Sequence, residues 1–488
     1  MRARLRATAM MAAARDCRPG RLPLAALALL LLALSLRPAA RATGAPDVAA
    51  GKPAGCALSS DAFDASRDAH AFEEYDDFIS QLLQHKEFRL LDCLADEARA
   101  SKARFPGGQW KLRVLYDGLS KPRLHPTEVD WKDQFQLLQR WAAARPRSIT
   151  PRVALAEAYI NYARAARGDD EDEVTDTGWK LYRERLKKSE TTLQQASALR
   201  AKCPEWYYAM QLVAGEQGWS RDRAEQLVKR AVAFEPDYDV YYRTHFAFLL
   251  PRHHGRDGDS EQFAQQTADQ RGGAAGDILY FQVAKEMVCI CDDPQFLHLS
   301  WPRVQNGFEE LGKRYGQSIF NLNSYALMAL TKNDMVLADR IFKQIGENWD
   351  KQVWNSQECF RDKKQMAALA APEQAHSRAI EKTADLNLQS PEGVSYTKLA
   401  GLKVSAFVKF CHGAAVGYPA KFDLLIQVSE DGSLQDAWTS VPTPPAACIF
   451  SELRAARARN ETLFPPPPSP GYWVKISMDP ATFDTAAQ

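Results

Sequence analysis

The stretch RDRAEQLVKRAVAFEP, residues 221–236, decides how the chain is read. Ala224, Val228 and Ala231 stand four and three residues apart, the spacing of one helical face. Small side chains on that face let a second helix approach closely, and Pro236 ends the element. Ala338, Phe342 and Ile345 repeat the spacing without the proline. The helix before them offers Leu322, Tyr325, Ala326 and Ala329 for close contact. Ser189, Leu193 and Ala196 fit more loosely. Ala196 and Ala231 are roughly 35 residues apart, about one period of a helical-hairpin repeat.

Outward from that stretch, the helical pattern extends from Asp61 to Ala370, broken at Pro106-Gly107-Gly108, Pro146, Pro204, Pro236, Pro251 and Gly272-Gly273. Breaks at that spacing suit hairpins, so residues 61–370 are expected to form a tetratricopeptide-like (TPR-like) helical array. Residues 371–395 turn polar, with Pro372 and Pro391, and read as a linker. Residues 396–488 read as a small α/β domain of β-β-α-β order. Val404, Ala406 and Val408 alternate with polar neighbours as a strand does. Phe422–Val428 and Leu434–Thr439 flank Glu430-Asp431-Gly432-Ser433, a hairpin turn whose Asp-Gly pair tolerates positive φ. A helix is expected over Pro444–Arg459 and a last strand over Tyr472–Met478. The fold class expected is therefore mainly α, with a small α/β domain at the end.

The 488 residues are 45% hydrophobic, 25% charged and 10% aromatic, with 11 Trp, which excludes a wholly disordered chain. One long apolar run exists, Leu22–Leu36, which excludes a polytopic membrane protein. It follows a basic segment carrying Arg2, Arg4, Arg6, Arg15, Arg18 and Arg21, and precedes Ala40-Arg41-Ala42. Residues 1–42 are expected to be a cleaved signal peptide and 43–60 a flexible leader, placing the protein in the periplasm or outside the cell. The alternative is a retained anchor in the inner membrane, in which case the membrane is a partner. Residues 1–42 hold eight Arg and one Asp, so the remainder of a chain at +1 is mildly acidic. No basic stripe for nucleic acid remains. Export also favours disulfides among the eight cysteines beyond Cys17. Locality in the C-terminal domain pairs Cys411 with Cys448, while Cys289 and Cys291 are too close to bridge each other.

Two family resemblances follow. The stretches beginning LLDCLADEARASKARFPGGQW at Leu90, GWKLYRERL at Gly178, CPEWYYAMQLVAGEQGW at Cys203, FEPDYDVYY at Phe234 and LLPRHHG at Leu249 resemble, in order, a bacterial domain-of-unknown-function family numbered forty thirty-four. The resemblance covers roughly residues 63–293 and implies a TPR-like array with no activity to carry over. His253 stands where the family has Trp, and the acidic Asp169–Glu173 run replaces a Gly-rich turn. FDLLIQVSEDGSLQDAWTSV from Phe422, with the helix, Pro-rich loop and strand after it, resembles the C-terminal domain of TonB-type energy transducers. That resemblance implies docking by strand addition.

Candidate chemistry is sparse. His253, His254 and Asp257 form the densest set of metal-ligand types, a weak alternative to a solvated loop after Pro251. Asp169–Glu173 with Asp176 lacks the spacing of a calcium loop. Trp206, Tyr207, Tyr208, Trp219, Tyr238, Tyr241 and Tyr242 crowd one hairpin, as a core or as a groove. The binding residues put forward are Trp206, Tyr207, Trp219, Arg252 and His254; catalytic residues and cofactors are none. No nucleophile elbow, His-Glu-x-x-His or phosphate loop occurs. The expectation is an exported, non-enzymatic scaffold that binds an envelope protein or peptide. The alternatives are a metal-dependent hydrolase at His253 and His254, and an anchored TonB-like transducer component.

Overall fold

The computed structural model describes residues 56, 63–67, 70–122, 126–168, 174–288, 298–415, 421–439, 443–459 and 461–479. The expected signal peptide, the acidic run at 169–173 and the Cys289–Asp293 stretch lie outside the described residues, as does the expected leader except Cys56. The protein is mainly helical with a small antiparallel sheet near its C-terminus, as the periodicity requires. The chain divides into two compact units. The first runs to Asp334 and takes in Arg340–Lys364; the second comprises Met335–Asp339 and everything from Gln365.

In order, the helices as far as Trp354 are α1 (Ala71–Gln84), α2 (Phe88–Ser101), α3 (Lys111–Ser120), α4 (Glu128–Ala144), α5 (Thr150–Arg167) and α6 (Asp176–Ser197). There follow α7 (Pro204–Glu216), α8 (Arg221–Phe234), α9 (Val240–Phe248), α10 (Asp259–Arg271), α11 (Gly273–Val288) and α12 (Trp301–Tyr315). The run ends with α13 (Ile319–Thr331), α14 (Met335–Ile345) and the single turn α15 (Lys351–Trp354). Neighbours pair as hairpins. Ser189 Oγ donates to the Ala156 carbonyl at 2.8 Å and Arg185 Nη1 to the Tyr162 carbonyl at 2.7 Å. Numbers rising on α6 meet numbers falling on α5, so the two are antiparallel. In α12 and α11, Ser300 N donates to Tyr280 Oη at 3.0 Å and Arg303 Nε to Asp277 Oδ1 at 2.8 Å, with the same sense. The small positions that fixed the sequence reading are all buried: Ala224, Val228, Ala231, Leu193, Ala196, Ala326, Ala329 and Ala338.

Contacts between early and late helices depart from a nearest-neighbour array. The Pro106-Gly107-Gly108 loop before α3 packs on the α12–α13 corner. Gly107 N donates to the Gly316 carbonyl at 3.0 Å, and Asn321 Nδ2 donates to the Gly107 carbonyl at 2.9 Å. Lys285 Nζ fixes the same Asn321 through its Oδ1 at 2.9 Å. Gly107 has φ +84°, and a Cβ there would collide with the Ser318 side chain, so only glycine fits.

The second unit corrects two expectations. Residues 371–395 are not a linker: α16 runs unbroken over Gln357–Asn387 with Pro372 inside it, and α17 spans Pro391–Ala415. Of the inward positions Ala367, Ala371, Ser377, Ile380 and Ala384 all but Ile380 are small, which disguises a helical face as polar sequence. Nor is Val404–Val408 a strand. Tyr396, Ala400, Val404, Val408 and Cys411 are buried at helical spacing while Ala406 is exposed. A five-residue alternation is too short to outweigh a period of 3.6 sustained over four turns.

The remaining elements keep the expected order: β1 (Phe422–Val428), β2 (Leu434–Trp438), α18 (Pro444–Ala458) and β3 (Tyr472–Met478). β1 is central, antiparallel to both β2 and β3. Gly432 in the β1–β2 turn has φ +81° and packs against the Phe464 carbonyl, where a side chain would not fit. Cys411 and Cys448 are bonded, Cα–Cα 5.7 Å, tying α17 to α18. Cys56 is bonded to Cys93 on α2. Among the described residues, no helix is long and apolar enough to cross a membrane.

Candidate functional site

The five proposed binding residues fall into two groups at opposite ends of α7. Trp206 and Tyr207 sit in its first turn, half-buried against the main core. Trp206 Nε1 donates to the Leu193 carbonyl at 2.7 Å, and its ring meets Tyr207 edge-on at 5.0 Å. Tyr207 continues to Phe234, an exposed ring 5.4 Å away. Trp219 lies beyond the other end of α7, with the Arg223 guanidinium over its ring at 3.1 Å. His254 belongs with Trp219: its Nε2–H donates to the Gly215 carbonyl at 2.9 Å and its ring lies 4.5 Å from Phe248. Arg252 is exposed in the same turn. Ten residues of helix, about 15 Å, separate the two groups, so they do not make one site. Tyr238, Tyr241 and Tyr242 are core; Tyr241 Oη donates to the Pro204 carbonyl at 3.1 Å and Tyr242 Oη to the Pro236 carbonyl at 3.1 Å.

His254 turns back onto α7, and among the described residues no three His, Cys, Asp or Glu side chains gather into a group that could hold a metal ion.

A polar centre that the sequence reading missed lies between α3, α5 and α7. Arg113 Nη2 donates to Glu157 Oε2 at 2.7 Å and to Asp117 Oδ1 at 3.1 Å, and Nη1 is paired with Glu205. The Tyr208 ring covers the guanidinium at 4.5 Å. Arg113, Glu157 and Glu205 are 5%, 3% and 0% exposed, so no dissolved substrate reaches them as they stand. Burial pushes both glutamates above the usual carboxylate range. Burial opposes the charge on Arg113, but Asp117, Glu157 and Glu205 together hold it protonated. Nearby, burial, then the charge of Asp117, pushes Asp76 up to about 7. Cys203, a free buried thiol, closes the group, its Sγ 3.4 Å from Tyr116 Oη. The centre locks three helices in register. Its signal in the sequence is a lone charge inside an apolar run, as Glu157 is within Val153–Ile160.

In the second unit the sheet leaves two edges. The β2 edge is short, irregular at Gln427/Val428, and closed by Arg457 Nη1 donating to the Gln435 carbonyl at 2.7 Å. On β3 the Trp473 carbonyl accepts from Asn387 Nδ2 at 2.9 Å, so that carbonyl points away from β1. Backbone groups two residues apart on a strand point the same way, which puts those of Lys475 and Ser477 on the outer edge as well. Lys475 Nζ pairs with Asp385 at 3.0 Å and Asp423 at 3.3 Å.

No family model, curated protein or solved structure matches this chain.

Proposed function

We propose that this is an exported, non-enzymatic binding protein of a bacterial envelope, whose helical unit holds one partner and whose C-terminal unit docks another by strand addition. The observation that carries the docking half is the β3 edge, an antiparallel edge strand with outward backbone groups at Lys475 and Ser477. The apolar leader and the disulfides Cys56–Cys93 and Cys411–Cys448 support export. The buried position of the Arg113 centre supports a structural role for the densest charge cluster in the helical unit.

The test is crosslinking from Ser477 in intact cells, compared with a Lys475→Pro variant. Proline at 475 removes an outward donor and leaves the bonds to β1 in place. An envelope protein captured by the wild type and lost in the variant supports the reading. Equal capture by both overturns strand docking. A mature N-terminus near Thr43, read by mass spectrometry, supports cleavage; an intact leader overturns it.

A further inference from the structure

The helix α17 is apolar on two faces. Tyr396, Ala400, Val404, Val408 and Cys411 face the core of the second unit. Leu399, Leu402, Ala406 and Phe410 recur three and four residues apart on another face, and all four are exposed. Leu399 is 50%, Leu402 64% and Phe410 75% exposed. At 3.6 residues per turn the four fall within about 80° of arc, about 140° around from the buried positions, and run about 17 Å along the axis. A helix needs one apolar face to pack on its own domain, so the second is surplus to folding.

The charges bordering this stripe are of one sign. Lys398 lies on one side of it and Lys403 on the other, about 80° and 60° from its centre. Both are exposed, and neither makes an ion pair among the described residues. From Ser395 to Gly413 the sequence holds no Asp or Glu. The single acidic residue of α17, Glu392, stands about two turns before Leu399. The chain beyond the leader leans acidic, but salt screens such a field within about 8–10 Å, so the lysines govern what approaches this helix.

We propose that α17 lies on an anionic lipid surface. Leu399, Leu402 and Phe410 enter the boundary between headgroups and acyl chains, and Lys398 and Lys403 reach lipid phosphates on either side. An anionic leaflet presents phosphates along both flanks of the helix at once. A second copy of the chain is disfavoured: two such helices laid face to face bring lysines along both seams, and no carboxylate between Ser395 and Gly413 meets them. The contact needs no retained leader. It goes beyond the strand docking proposed above and uses nothing from β3.

The experiment is co-sedimentation of the mature chain, beginning at Thr43, with vesicles of equal parts phosphatidylglycerol and phosphatidylcholine at low salt. Saturable binding is expected, and binding about thirtyfold weaker to phosphatidylcholine alone, the weight of two lysines near a charged surface. Phe410→Ser should weaken binding to both kinds of vesicle about tenfold, the share of one ring moved out of water. Lys398→Gln with Lys403→Gln should remove the preference for the anionic vesicles and leave binding to phosphatidylcholine unchanged. These side chains are exposed, so the variants keep the fold. Val129→Ser, which removes a similarly exposed apolar side chain from α4 in the helical unit, should change nothing. No binding to the anionic vesicles overturns the inference, as does equal binding by wild type and Phe410→Ser, or an equal loss in Val129→Ser. A dimer in light scattering that Phe410→Ser dissociates and vesicles leave intact gives the stripe to a second copy and overturns it too. The Lys475→Pro variant should bind the vesicles as the wild type does, so failure here and failure of strand docking are read separately.

Discussion

The two units solve the same problem, holding helices in a fixed register, by different chemistry. The helical unit places charge inside itself: Arg113 with Glu157 and Glu205 between three helices, and Arg164 with Glu216 at 2.7 Å beside them. Among the described residues, the buried polar side chains all belong to this unit except Ser377. The C-terminal unit has a dry core running from Tyr396 through Leu424, Ile426 and Leu453 to Val474, fastened by the Cys411–Cys448 bond. Its ion pairs, such as Arg459–Glu461, are on the surface. The difference follows from size. A large array has area to spare for orienting polar contacts, whereas a small domain gains more from a covalent tie.

The largest effect that would break this contrast is expected at Arg113. Arg113→Ala leaves two buried carboxyls without their cation and should cost about 3–5 kcal/mol in urea unfolding. Replacing the cluster as a whole, Arg113→Met with Glu157→Leu and Glu205→Met, should recover most of that loss. Recovery would show that the charges orient the helices rather than hold them together; a triple variant as unstable as the single one would refute it. Next comes the covalent tie. Cys411 and Cys448 are separated by 37 residues, and opening a loop of that length with Cys448→Ser should cost roughly 3–4 kcal/mol. Hydrogen exchange should accelerate in β1 and α18 and stay unchanged in α5 and α7. A single variant is the right tool, because reductant would also open Cys56–Cys93.

The smallest effect sharpens the helical side. Asp76 carries a folded-state pKa of about 7 against 3.8 for the ordinary carboxyl. Between those values the folded chain holds a proton that the unfolded chain has lost, so this group lowers stability as pH rises from about 4 to about 7. Asp76→Asn should flatten that fall and raise stability at pH 8 by roughly 2 kcal/mol relative to the wild type. His245 acts the other way: burial pushes it down to about 4 from 6.5, so its contribution is lost as pH falls through that window. An Asp76→Asn profile that keeps the wild-type slope would place the proton elsewhere.

Legibility in the sequence divided along physical lines. The helices around Ala224 and Ala326 were readable because an apolar stripe with small residues repeats over several turns. β1, its turn at Gly432 and β3 were readable because alternation and an Asp-Gly pair coincide. α16 was not, because its inward face is mostly Ala and Ser, with Ile380 the one large residue, and a proline lies within it. α17 was misread because Val404, Ala406 and Val408 alternate locally inside a longer helical period. Of the site residues, the Cys411–Cys448 pair was legible from locality alone. Trp206 and His254 are put forward together as binding residues, but a sequence does not show that they lie at opposite ends of α7. The Arg113 centre joins residues far apart in the chain, and no local period announces such a meeting.

The glycine loop at 106–108 has a consequence for how the chain comes into being. A stacked array can fold from its first hairpin onward, each new pair of helices adding to the last. Here the Gly107 carbonyl accepts from Asn321, a partner 214 positions later in the chain. During synthesis that partner emerges many seconds after α3, at ordinary elongation rates of about 5–20 residues per second. The loop at 106–108 therefore gains these partners only after α12 and α13 have emerged, a contact of large sequence separation.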